Sequence, residues 1–298
     1  MALTDLLRCD VPIQLAPMGG VSVSPALPIA VARAGAHAMY PGLVHTPETL
    51  GPVLDALEPP FGVNFIVPMM DRGAFELACE RAPYVDLFLA EPDEELVGLV
   101  RGVCGWQVET AEEARAAEAA GCDVVIAKGW ESGGRKRIEG PALLPLLEET
   151  LNAVSIPVIA AGGIATARGV AAMLAAGAAG VRVGTRFIAS EESDAHPKWI
   201  RAVIEAHAED AVVSEAFNVG MPVPGPHRVL RSSIEAAAAV TDEYAGEING
   251  VQLPPFAPSP PPHNATGTIE AMPFYAGQSA GAVTEVKPAA EIVAELWP

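Results

Sequence analysis

The feature that most restricts what this chain can fold into is a repeated switch in apolar period. Short strand-like apolar runs alternate with Ala-rich stretches of helical spacing. The runs cover residues 14–18, 37–42, 62–67, 85–91, 105–109, 124–129, 157–164 and 180–185. Two of the intervening helices show their ends plainly. Residues 110–120 open on Thr110, carry Glu112 and Glu113 in the first turn, and stop at Gly121. Residues 166–176 repeat the plan, with Thr166 as cap and Gly177 as terminator. Eight such units are what a closed parallel barrel needs, whereas an open doubly wound sheet usually has fewer strands and a switch point. The expected fold is α/β, a (β/α)8 TIM barrel. Its first unit is the strand at 14–18 followed by Ser22, Ser24 and a helix over 26–34 closed by Gly35. Strand 1 thus falls at the very N-terminus, with no separate leading domain expected.

The pattern changes after Thr185. Residues 186–250 read as mostly helical, and residues 254–262, PPFAPSPPP, exclude regular helix and central strand. A short amphipathic helix, AAEIVAELW, closes the chain. The expected organisation is a barrel over 1–190, a small helical insertion after strand 8 over 191–262, and a segment at 263–298 that returns to the barrel. A flexible linker is the alternative reading of 254–262.

Composition narrows the partners. The 298 residues suit one α/β barrel, and 37 acidic against 18 basic residues give a net charge of -19. Such a surface repels nucleic acid and anionic lipid. The four cysteines form no C-x-x-C pair and no zinc spacing, so no metal site is expected. Neither a secretory signal nor an apolar run of membrane-spanning length stands out, and the expected location is cytoplasmic.

The most informative stretch is PVIAAGGIATARG followed by GAAGVRVGTRF. Gly162 and Gly163 end strand 7, and Gly184 and Thr185 end strand 8. In barrels of this kind the loops after these strands commonly form a phosphate cup, because glycine lets backbone N–H groups approach an anion. Tight turns alone are the plainer alternative. Two glycine sets in register at consecutive strand ends favour the cup. G-x-G-x-x-G, G-x-x-x-x-G-K-[ST] and H-E-x-x-H are all absent.

With PIQLAPMGGVS near the start, PFGVNFIVP, GCDVVIAKGWESGG and the late FYAGQSAGAVTEVKPAAEIV, these pieces run almost end to end. In that order the chain resembles the nitronate monooxygenase (2-nitropropane dioxygenase) family of FMN-dependent barrels, which is related to flavin-dependent enoyl-acyl-carrier-protein reductases. The resemblance implies FMN as cofactor. It implies that Ala16, Pro17 and Met18 line the flavin, that Asn64 bonds its ring or ribityl chain, and that Lys128 reaches it from strand 6. By the same resemblance Gly133 packs against the cofactor, Gly162, Gly163, Val183, Gly184 and Thr185 hold its phosphate, and Tyr275 and Gln278 reach the rim.

One departure bears on chemistry. Most relatives end the strand-6 motif in a His that acts on substrate; here the run is Glu131-Ser132-Gly133-Gly134-Arg135. Arginine stays protonated and cannot serve as a base. It can instead hold a nitronate, which is already an anion, by its two oxygens. Arg135→His is expected to restore a base. Lys136 and Arg137 read as a solvated surface loop. The candidate catalytic residues are Arg135, Lys128, His196 and His227, with His45 as a further histidine; a structural role is the plainer reading of each histidine. The leading expectation is an FMN-dependent monooxygenase oxidising a small anionic substrate with dioxygen. The alternatives are an enoyl reductase-like or specialised biosynthetic flavoenzyme reduced by NAD(P)H, and a flavin-binding protein that has lost turnover. A homodimer is compatible with all three.

Overall fold

The computed structural model of the chain describes residues 2–136 and 139–297. Eight parallel strands form one sheet: β1 (Ile13–Leu15), β2 (Ala38–Pro41), β3 (Phe61–Ile66), β4 (Tyr84–Phe88), β5 (Val103–Val108), β6 (Val124–Lys128), β7 (Val158–Ala161) and β8 (Gly180–Val183). β1 pairs with β8 in the register Ile13↔Val181. A parallel bridge between Gln14 and His37, just before β2, closes the ring. The barrel expected from the sequence is therefore present, with each expected run overlapping a strand.

Caps and periodicity place the helices. Thr110 accepts from the Glu113 N–H at 3.1 Å and starts α6 (Ala111–Ala119); Thr166 does the same for Gly169 at 3.2 Å and starts α8 (Ala167–Ala175). A helix not foreseen, α1 (Leu3–Leu7), precedes β1. Its Leu3 and Leu7 pack inside the barrel with Met39, Tyr84, Val124, Ile126 and Ile159. Because side chains alternate along a strand, this fixes the faces: Tyr84, Asp86 and Phe88 of β4 point inward, as do Val124, Ile126 and Lys128 of β6. The lower layers are apolar. The upper ones are not.

The segment after β8 carries α10 (Pro197–Glu205) and α11 (Arg231–Ala238), but it is less helical than the sequence suggests. Two small antiparallel sheets accompany them. One joins Ala211–Ser214, His227–Leu230 and the two-residue strand Gly134–Arg135; the other joins Gly246–Ile248, Val251–Leu253 and Thr266–Gly267. Strands this short offer no period to read, and Gly134–Arg135 lies far from its partner in sequence.

The proline-rich loop is packed rather than free. Pro258 O accepts from Tyr275 Oη at 3.0 Å, Pro261 O accepts from the His196 N–H at 3.0 Å, and Ala195 bridges Pro262. Pro260 sits so close to Gly20 that a β-carbon there would lie 3.0 Å from its ring. Among the described residues no helix is long and apolar enough to cross a membrane, and no group of side chains could hold a metal ion.

Candidate active site at the barrel mouth

Polar side chains fill the upper barrel. Arg182 on β8 crosses the interior and pairs through Nη2 with Asp86 Oδ2 on the opposite strand β4; both are buried. Arg182 Nε donates to Gln14 Oε1 at 2.7 Å, Gln14 Nε2 meets His37 Nδ1 at 3.0 Å, and Asn64 Nδ2 donates to Asp86 Oδ1 at 2.5 Å. The Asn64 amide expected to face a cofactor thus spends its N–H on Asp86. Burial holds the His37 imidazole down at about 3, helped by the Arg182 charge, so it is neutral. Nothing in the sequence pattern singled out this network; Asp86 and Arg182 sit inside runs that read as ordinary strand.

Lys128 is the last residue of β6 and lies one layer higher. Its Nζ stands 4.1 Å above the Phe88 ring, 3.9 Å from Glu109 Oε1, and donates to the Arg135 carbonyl. Burial lowers its pKa to about 8, against the opposing pull of Glu109, with Arg182 and Arg135 adding repulsion. An amine poised this near neutrality at the open end of a barrel is suited to proton transfer.

The turn after β6 is held by cations that donate to its carbonyls. Lys136 is 1% exposed, and its Nζ donates to Ser132 Oγ at 2.9 Å and Gly129 O at 3.3 Å. Arg228 donates to Trp130 O from Nε and Nη2, and the Lys136 amine and the Arg228 guanidinium both lie against the Trp130 ring. Lys136 therefore corrects the surface-loop reading; burial, then repulsion from Lys128, draws it down to about 7. Arg137 lies outside the described residues. Glu131 carries the turn onward by accepting from the Leu143 N–H, which starts α7 (Leu143–Ala153). Gly133 is obligatory, since a β-carbon would lie 2.7 Å from the backbone of Ala276 and Gly277.

The glycine loops behave as an anion cup would. Gly162 and Gly163 adopt φ of 120° and 71°. Among the described residues the N–H groups of Gly163 and Gly184 have no hydrogen-bond partner. Thr185 Oγ1 accepts from the Gly277 N–H at 2.9 Å, which leaves its own hydrogen to donate. Gly184 faces the turn after β1: a β-carbon there would meet Ala16 Cβ at 3.2 Å and Met18 Sδ at 3.3 Å. Ala16, Pro17 and Met18 are half-buried beside it, and Val183 O accepts from the Ala16 N–H at 2.8 Å. The donor set fits a phosphate. The late segment returns to this place: Gln278 donates its N–H to Glu131 O at 3.0 Å, and Tyr275 bridges Val229.

Four expected residues stand elsewhere. The Arg135 side chain is engaged by the insertion; Nη2 donates to Val223 O and Nη1 lies 3.4 Å from His227 Nε2. His227 is buried and held down at about 4, by desolvation and then by the Arg135 and Lys128 charges. His196 accepts from the Lys198 N–H at 3.2 Å as the N-cap of α10, a structural duty with no described contact to Lys128 or Arg135. His45 bonds Tyr40 Oη and Thr49 Oγ1 outside the barrel.

The model of the nitronate monooxygenase family matches residues 76–298. The chain belongs to the nitronate monooxygenase family. Among curated proteins it is 32% identical over 259 residues to a (3aS,4S,5R,7aS)-5-hydroxy-7a-methyl-1-oxo-octahydro-1H-indene-4-carboxyl-CoA dehydrogenase of Rhodococcus jostii, covering 84% of this chain and 70% of that one. Among solved structures, FabK of Thermotoga maritima superposes with a TM-score of 0.78 at 31% identity, over 99% of this chain and 94% of that one. A nitroalkane oxidase of Streptomyces ansochromogenes does so with a TM-score of 0.79 at 30% identity, over 99% and 97%. The nitronate monooxygenase family thus extends here into a superfamily of flavin oxidoreductases that includes FabK.

Proposed function

We propose that the chain is an FMN-dependent oxidoreductase, reduced by a nicotinamide cofactor, that saturates the activated double bond of an acyl thioester. The observation that carries this reading is the Lys128 amine at the barrel mouth, held near neutral pKa between Phe88 and Glu109. FMN would lie with its phosphate on the N–H groups of Gly163 and Gly184 and the Thr185 hydroxyl, and would supply hydride transfer. Lys128 holds the proton that completes the reduction at the carbon next to the thioester carbonyl, and regains it from water. Asn64 and the turn at Ala16–Met18 would bound the ring. The name of the Rhodococcus carboxyl-CoA dehydrogenase supports thioester chemistry.

Nitronate oxidation with dioxygen is the second reading, favoured by the family model and the Streptomyces structure. Lys128 would then hold the substrate anion rather than donate a proton. Anaerobic mixing separates the two. Bleaching of bound flavin by NADH or NADPH, followed by reoxidation with an enoyl thioester, is expected. Bleaching by an alkyl nitronate alone would establish the second reading, and a flavin inert to both donors would mean a protein without turnover.

A further inference from the structure

We infer that Arg135 is a latch that fastens an apolar loop, residues 218–226, over the barrel mouth, and that this loop selects substrates with an extended apolar acyl chain. The substrate class rests on the reductase reading above; the latch does not.

The loop, NVGMPVPGP, is braced at its base by one amide. Asn218 Nδ2 donates to Glu215 O at 2.8 Å and Gly225 O at 3.0 Å, so both its hydrogens are used. Asn218 Oδ1 must then be an acceptor, from the Gly225 N–H at 3.0 Å and from His227 Nε2 at 3.1 Å. The hydrogen on His227 therefore sits on Nε2. That nitrogen has no lone pair to offer Arg135 Nη1, and their approach is a packing contact. What the guanidinium does hold is Val223 O, through Nη2. It lies flat on Gly225, where a β-carbon would come within 3.1 Å of Nη2. The backbone completes the attachment: Arg135 pairs with His227, and the Lys136 N–H donates to Pro226 O at 2.9 Å.

The tip has little else to hold it. Its other described bonds are from the Val219 N–H to Phe256 O and from the Met221 N–H to Asn218 O. It carries apolar side chains into solvent, with Val219 46% and Val223 37% exposed. A loop with polar anchoring at its base and apolar residues at its tip, fixed beside Lys128 through the Arg135 carbonyl, suits contact with a hydrocarbon chain extending from the mouth.

The test is amide hydrogen exchange on the full-length, flavin-loaded protein, with Arg135→Met and Asn218→Ala compared with the parent. Exchange over residues 219–224 is expected to rise about tenfold or more in Arg135→Met, since a bond to a charged donor is lost, with barrel strands keeping their protection. Asn218→Ala should loosen the same stretch with Arg135 still present. With enoyl thioesters, Arg135→Met should raise KM for a long chain by about tenfold relative to a four-carbon chain, with a smaller change in kcat. Unchanged loop exchange in Arg135→Met overturns the latch. Unchanged chain-length preference despite a loosened loop overturns the selectivity. A parent protein that reduces no thioester would sink the reductase reading and the substrate class, while the exchange result still decides the latch.

Discussion

Arg135 and His227 are register partners on adjacent antiparallel strands, and their side chains meet with Nη1 3.4 Å from Nε2. The Arg135 side chain is therefore turned toward the insertion. Its neighbour is an imidazole that burial and two cations keep neutral at about 4.

This geometry reverses the expectation for Arg135→His. A new imidazole would stand beside His227, on the side of the insertion, and lose the bond to Val223 O. Neutral nitroalkane turnover should stay within about twofold of the parent, since no base is delivered to the mouth. Steady-state oxygen consumption with a nitroalkane, on variant protein shown spectroscopically to retain flavin, makes the comparison. A gain of a hundredfold would contradict the placement.

Lys128 should govern the alkaline limb of activity. The ammonium is the acid, so the rate of thioester reduction should hold below about pH 8 and fall tenfold per unit above it. Lys128→Met should lose about a hundredfold or more in kcat and abolish that limb. The profile of kcat against pH for parent and variant is the measurement.

The two buried amines also give stability a pH dependence of definite sign. Lys128 and Lys136 have folded pKa values of about 8 and about 7, each lowered from 10.5. Between these values and 10.5 the unfolded chain binds more protons than the folded one, so their contribution to stability rises with pH through this window. Below about pH 7 both are charged in either state, and the contribution is flat at its minimum. Urea midpoints measured from pH 6.5 to 9.5 should show a rise that is smaller in Lys136→Met, against a background from other groups common to both proteins.

Gly184 tests the cup from the β1 side. Gly184→Val would drive a side chain into Ala16 and Met18, which lie 3.2 and 3.3 Å from a bare β-carbon. Flavin affinity should drop by at least about tenfold while the far-ultraviolet dichroism is retained. Fluorescence titration of the stripped protein with FMN measures it; affinity equal to that of the parent would remove these glycines from the phosphate site.

The barrel was legible because each strand and cap announces itself over a few residues, as Thr110 and Thr166 do. The glycine pairs were legible for the same reason. What stayed hidden depends on how the chain closes on itself in three dimensions. Lys136 reads as a surface charge until Trp130, Ser132 and Gly129 close around it, and Arg135 reads as a ligand for substrate until a strand some ninety residues on supplies its neighbour. The Arg182–Asp86 pair joins opposite walls of the barrel, a relation that no local pattern encodes.

Leu3 and Leu7 of α1 plug the lower end of the barrel, and the β-carbon that Gly180 lacks would collide with Leu3 at 2.3 Å. With that floor sealed, a reductant and the acyl thioester of the proposed reaction would both enter through the upper end. On the reductase reading they would visit in succession, the first leaving before the second arrives, and initial-rate plots for the pair should run as parallel lines.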